Sequence, residues 1–167
     1  MAHSTVDRLI EQLADLQRRV RHLETADPAT PTCLLSMTAA YTKSSNTNYF
    51  QLPFNVEIRD RDGLHDSAGL KPRITVQRAG LYLVGGNIQF DSNSTGLRGI
   101  AISQNGTEIR RHQHASGDGE SLSIATLALA QPDDYFMLMC MQNSGSDLDV
   151  LQNDMSPFFW AFKIMGG

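Results

Sequence analysis

Only two cysteines occur among 167 residues, so no dense disulfide framework staples this chain. Cys33 and Cys140 lie among apolar neighbours, Leu34 and Leu35 beside one, Met139 and Met141 beside the other. With no metal or redox spacing around either, that setting predicts free, buried thiols. An excess of basic charge is also missing. Fourteen Lys and Arg against 18 Asp and Glu leave a net charge of −4, which excludes a general attraction to nucleic acid or to an anionic membrane. Beyond the first 26 residues the only adjacent basic pair is Arg110-Arg111. No run approaches the ~20 apolar residues a membrane span requires. The start, Met-Ala-His-Ser-Thr-Val-Asp-Arg, has no apolar secretory core, so the chain is expected to work without export or to have lost a leader. The constellations of catalysis are absent too. The five histidines and the serines form no nucleophile elbow, zinc motif or phosphate loop. Gly85-Gly86 and Gly117-Asp118-Gly119 read as a bend and a turn, because no helical pattern follows either. A protein without enzymatic activity is expected.

What is present begins at residue 6. Val6, Leu13 and Val20 occupy heptad a positions and Leu9, Leu16 and Leu23 occupy d positions. One helical stripe therefore carries all six, and burial against copies of itself is the simplest way to cover it. The last heptad reads Arg19-Val20-Arg21-His22-Leu23-Glu24, with Arg19 at g and Glu24 at e. It resembles the short trimerisation motif of three-stranded coiled coils, in which the Arg stem covers the core and its guanidinium meets the Glu of the next helix. The residues assigned to trimerisation are thus Val6, Leu9, Leu13, Leu16, Arg19, Val20, Leu23 and Glu24.

Two prolines at 28 and 31 stop the helix, giving a coiled coil over residues 1–26, a linker over 27–32 and a head over 33–167. Beyond the linker the period changes to two and turn signals recur every 8–12 residues, the pattern of an all-β antiparallel sandwich of about ten strands. Residues 33–41 read as a first strand, followed by a loop through Asn48. Residues 49–58 read as a half-buried strand with Phe54, Val56 and Ile58 on one face, and 60–71 as a long polar loop. Asn105-Gly106 joins two strands as a two-residue hairpin. In 121–129 the buried set is expected to run Leu122, Ile124 and, after a phase shift, Leu127 and Leu129. The runs 135–141 and 158–162 are apolar on both faces. A trimer would cover both, one in the sandwich and one on a three-fold axis.

The stretch Asp66-Ser67-Ala68-Gly69-Leu70-Lys71-Pro72-Arg73-Ile74-Thr75-Val76-Gln77-Arg78-Ala79-Gly80-Leu81-Tyr82-Leu83-Val84 resembles the tumour-necrosis-factor-like jelly rolls, and among them the complement C-one-q globular head. Gly69, Ile74, Gly80 and Tyr82 fall in step with the family pattern. Gln104-Asn105-Gly106, the strand 127–130 with Pro132-Asp133-Asp134, and the closing strand 158–164 match further elements. Ile74 stands where the family prefers Phe, and Pro-Asp-Asp replaces Gly-Asp. The resemblance implies a compact homotrimeric binding head on a stalk, and it carries over no individual site residue.

Candidate chemistry is sparse. His112 and His114 share one face of a strand and could offer two imidazoles to a metal. Asp60, Asp62 and Asp66 fall in one loop and Asp147, Asp149 and Asp154 in another. Such loops can hold calcium, but the full Asp-x-Asp-x-Asp-Gly spacing is missing. Loops on a rigid scaffold usually carry recognition, which selects Ser45, Asn46, Asp62, His65, Asn93, Ser94, Gly117 and Asp118 as candidate contacts. The function expected is a trimeric virion protein of a bacteriophage, a fibre, spike or capsid decoration. It would dock on a capsid or other virion protein through its N-terminal region and present the head to a host-surface protein or glycan, with no nucleic acid partner and no membrane insertion. The alternatives are a secreted head of the complement type, working outside the cell, and a structural trimerisation plug.

Overall fold

The computed structural model describes residues 12–15, 17, 30–69, 72–116 and 121–165. The chain divides into two units, Met1–Thr30 and Pro31–Gly167. In the first, residues 12–15 and 17 are helical and Leu13 is 59% exposed. The other heptad residues, Val6, Leu9, Leu16, Arg19, Val20, Leu23 and Glu24, lie outside the described residues.

Strands make up the second unit: β1 (Thr32–Ser36), β2 (Tyr41–Lys43), β3 (Asn46–Gln51), β4 (Val56–Arg61), β5 (Ile74–Thr75), β6 (Gly80–Gln89), β7 (Leu97–Gln104), β8 (Thr107–Ala115), β9 (Ser121–Ala130), β10 (Tyr135–Gln142), β11 (Leu148–Val150) and β12 (Phe158–Met165). The first sheet runs β4-β1-β12-β6-β9. The second runs β3-β10-β7-β8, with β5 paired to β10, and β2 and β11 form a small ribbon. The pairings between these strands are antiparallel. Alternate residues of each sheet meet in the middle, as the period of two requires. Cys33, Leu35, Tyr82, Val84, Ile88, Phe159 and Ala161 come from the first sheet, Ile100, Ile102, Phe136, Leu138 and Cys140 from the second, and all are fully buried. Phe54 and Phe159 pack with ring centroids 5.4 Å apart.

Both thiols are free and buried. Burial, reinforced by Asp60 and Glu57, pushes the Cys33 thiol far up, and burial pushes Cys140 up to about 12. Neither is a reactive nucleophile. The hairpin at Asn105-Gly106 forms with both residues at positive φ, 52° and 80°, the conformation that selects this dipeptide.

Four expectations are corrected. The first strand ends at Ser36, where Asn55 brackets the chain by bonding the Thr38 amide and hydroxyl, and β2 pairs separately with β11. Asn46 begins β3 rather than sitting in a loop, because the open side of β10 supplies backbone partners to a polar segment that an edge position tolerates. The 49–58 strand breaks at residues 52–55 around Pro53. Leu52 and Phe54 drop into the core, whereas Ile58 on β4 is 51% exposed, and β4 continues through Arg61 into the expected loop. Most consequential is β9, whose phase does not shift. Leu122, Ile124, Ala128 and Ala130 point inward, leaving Leu127 and Leu129 outward at 57% and 76% exposure.

The strand directions define two ends. The chain enters at Thr32 beside Arg61 and Phe162, and this proximal end also holds residues 62–69 and 72–73, the 105–106 hairpin and the 131–134 turn. The distal end gathers residues 44–45, 91–96 and 143–147.

Candidate interaction surfaces

The outer face of the first sheet is built in rows. Met165, Leu81 and Leu129 lie side by side on β12, β6 and β9, followed by Phe162, Leu83 and Leu127, then Leu34, Trp160, Gly85 and Ala125 with β1 added. Met165 is 68% exposed, so this margin is hydrocarbon open to water. The Trp160 and Phe162 rings pack at 5.3 Å. Trp160 lies across Gly85, where a Cβ would overlap its six-membered ring and the Ile124 carbonyl, so glycine is required for the indole to lie flat on the sheet. A groove of about 370 Å³ continues this face past Trp160 to Asn87 and Ser123.

The candidate contact residues divide between the two ends. At the distal end Ser45 accepts a hydrogen bond from the Gly145 amide (2.8 Å), and Asn93 donates to the Ser146 hydroxyl (3.4 Å). Ser94 is exposed beside them, and Asn46 receives the Asn48 amide. Arg98 organises this end from within. Only 1% exposed, it donates to the Asn93, Thr95 and Leu97 carbonyls and thereby holds the 93–97 backbone in place. A second buried support is Gln142, which donates to the Lys43 and Ser146 carbonyls and accepts from the Ser144 amide and hydroxyl. Burial holds the Lys43 ammonium below the usual lysine range, and it lies 4.1 Å over the Phe50 ring. Sequence reasoning passed over both supports. The available signal was parity, since Arg98 shares the inward phase of Ile100 and Ile102, and Gln142 that of Leu138 and Cys140.

Asp62 and His65 belong to the proximal end. Asp62 pairs with Arg78 at 2.6 Å and is a structural tie. His65 is not a contact residue: its side chain is 1% exposed, bonded through Nδ1 to Glu57 at 2.7 Å, and its backbone bridges Ile74. Gly117 and Asp118 lie outside the described residues. The acidic loops are spent on backbone amides and side chains. Asp60 receives the Leu64 and His65 amides, Asp66 receives the Gly69 amide, and Asp149 accepts from Thr42. Among the described residues no three His, Cys, Asp or Glu side chains form a metal-binding group.

The arrangement is that of a TNF-like jelly roll, and the solved structures it resembles agree on the fold. The Eiger TNF of S. frugiperda aligns with a TM-score of 0.58 at 12% identity, over 83% of this chain and 94% of that one. Murine APRIL gives 0.62 at 12% identity over 81% and 99%. The globular domain of the zebrafish complement 1qA protein gives 0.58 at 12% identity over 82% and 99%. No family model and no curated protein matches the chain.

Proposed function

We propose that this chain is a non-enzymatic, homotrimeric binding head, and that it serves as a virion protein of a bacteriophage. The observation that carries the trimer is the outward row of Leu127, Leu129, Leu81 and Met165. A sheet whose second face meets water normally alternates with polar residues, so a hydrocarbon margin here calls for a covering surface. Three copies on a common axis would cover it symmetrically, which agrees with the heptads of the N-terminal segment and with the trimers that the family resemblance implies. The loops around Ser45, Asn93 and Ser94 gather at the end of the head opposite the start of β1, and we assign the recognition surface to them. Their amides and hydroxyls suit a protein or glycan of the host surface, and three-fold avidity would strengthen weak single contacts.

The virion setting rests on the sequence, which pairs a short heptad segment directly with a head of the binding type. The likeness to TNF and complement heads favours a second reading, a secreted binding module for protein or glycan. The test is the solution mass of the full chain by light scattering, followed by binding of the labelled protein to phage particles and to bacterial cells. A mass of three chains and binding to either supports the proposal. A monomer rejects the trimer, and a trimer that binds neither rejects the virion role.

A further inference from the structure

We propose that Asn105 is a modification site of the head, open to spontaneous deamidation, and that a side-chain clamp centred on Asp134 holds it in check. The inference is independent of the trimer and of the virion role. The pair Asn105-Gly106 occurs once in the chain. In such a pair the glycine amide nitrogen can attack the preceding side-chain carbonyl carbon, because glycine has no Cβ to stand in the way. A nitrogen–carbon bond forms, the Cγ–Nδ2 bond breaks, and ammonia leaves with the glycine amide proton. Water then opens the succinimide ring at either carbonyl and yields aspartate or isoaspartate.

Burial does not protect the pair. Asn105 and Gly106 are both exposed at the hairpin tip, and a Cβ on Gly106 would meet only the Tyr135 hydroxyl, at 3.6 Å. The restraint lies in the partners of the side-chain amide. Nδ2 of Asn105 donates to the Asp134 carboxylate at 2.7 Å, and Oδ1 accepts the Tyr135 amide at 3.0 Å. The reversed amide would set acceptor against acceptor and donor against donor, so the network admits one orientation. The Asn105 backbone amide also donates to the Tyr135 carbonyl at 2.9 Å. Backbone and side chain of this residue are therefore both fastened to residues 134–135, and Cγ must leave its two partners to close on the Gly106 nitrogen.

Asp134 is itself fixed. Its other oxygen receives the Gln131 amide at 2.8 Å and the Gln104 side chain at 3.2 Å, and Gln104 also reaches the Leu129 carbonyl at 2.9 Å. The Gln131 amide first, then the Asn105 side chain, hold this carboxyl below its ordinary range, and an ionised acceptor makes the stronger bond to Nδ2. Deamidation would undo the clamp. Aspartate at 105 would set a second negative charge against Asp134, and isoaspartate would add a carbon to the backbone of a two-residue turn.

The experiment ages the full-length protein in mildly alkaline buffer and follows aspartate and isoaspartate at residue 105 by peptide mass spectrometry. The same chain unfolded in urea supplies the unclamped rate. The folded protein is expected to react at least about tenfold more slowly, equivalent to about 1.4 kcal/mol of barrier. Asp134→Ala, shown to be folded by circular dichroism, should regain most of the unfolded rate. Asp134→Asn keeps an acceptor without the charge and should fall between the two. Arg98→Met weakens the fold elsewhere and should leave the rate at residue 105 unchanged. The proposal is overturned if the folded wild type reacts as fast as the unfolded chain, or if neither folded Asp134 variant exceeds the wild-type rate. It is equally overturned if these variants react more slowly, which would make the carboxylate a base, or if Arg98→Met accelerates the reaction as much as they do.

Discussion

The two outer faces of the sandwich obey different rules. On the second sheet Tyr49 meets Gln113 and the Arg111 guanidinium, which Glu108 holds in turn, so polar groups complete one another in water. On the first sheet Leu81, Leu83, Leu127 and Leu129 lie beside Phe162 and Trp160, and polar residues stand at the borders, Thr32 opposite Phe162 and Asn87 opposite Ser123. One face is finished within the chain. The other is left open to water within one chain, and the proposed trimer would cover it, which is why the oligomeric state is the first property to measure.

The largest way to break this contrast is to charge the apolar margin. Covering a Leu is worth about 1.5–3 kcal/mol, and an aspartate would in addition be buried unpaired. In the head alone, started at Thr32 so that the N-terminal heptads cannot hold the copies together, Leu127→Asp with Leu129→Asp is expected to lower the mass by light scattering from three chains to one. A three-chain mass would mean that this margin is not the contact. The same double change placed at Thr107 and Gln113 on β8 should leave the mass unchanged.

A smaller effect separates buried from exposed arginine. Arg98→Met removes the donor from three carbonyls at once; hydrogen bonds to charged groups contribute about 1.5–3 kcal/mol each net of exchange with water, offset in part because Met no longer buries a charge. A net loss of about 2–4 kcal/mol is expected, read as a drop of several degrees in the thermal midpoint. Arg111→Gln, which breaks an exposed pair, should cost within about 1 kcal/mol. Equal losses from the two would refute the role given to Arg98.

Gly85→Ala tests whether Trp160 lies flat by necessity. The new Cβ meets the indole and a carbonyl, an overpacking cost of about 1–3 kcal/mol. The single tryptophan reports the displacement directly, as a shift of its emission toward that of indole in water. An unchanged spectrum and midpoint would show that the ring moves freely.

The smallest effect belongs to the 131–134 turn. The Gln131 amide, then the Asn105 and Gln104 side chains, hold the Asp134 carboxyl below its ordinary value of 3.8. A folded-state value that is depressed adds stability at pH above the ordinary value, and that stability is lost as pH falls through the depressed one. The wild type should therefore melt slightly above Asp134→Asn at neutral pH, and the gap should close under acid conditions. A gap that persists in acid would remove the carboxylate as its cause.

Much of the fold was legible from residue order because it rests on local rules. Asn105-Gly106 forced its turn, the period of two marked most strands, and the apolar neighbours of Cys33 and Cys140 foretold their burial. The short β11 and the division of 33–43 into two strands were not legible, because each depends on which distant segment offers a free edge. The candidate surface was read less well than the fold. His65 sits in a polar stretch yet lies buried on Glu57, and Arg98 looks like a solvent-facing charge yet lies in the core. Polar residues announce their type but not their partners, and burial follows from the partners.

What the sequence by itself determined is the strand alternation, the turns that limit the strands and the apolar content of β6, β9 and β12. Which phase of β9 faces inward was decided only by the tertiary structure. Leu127 and Ala128 are both apolar, so either could enter a core. Pairing with β6 sets Ala128 beside the buried Tyr82 and Leu127 beside the outward Leu83. The small side chain fits under the large ring, and the large one is left outside, on the face that calls for a partner.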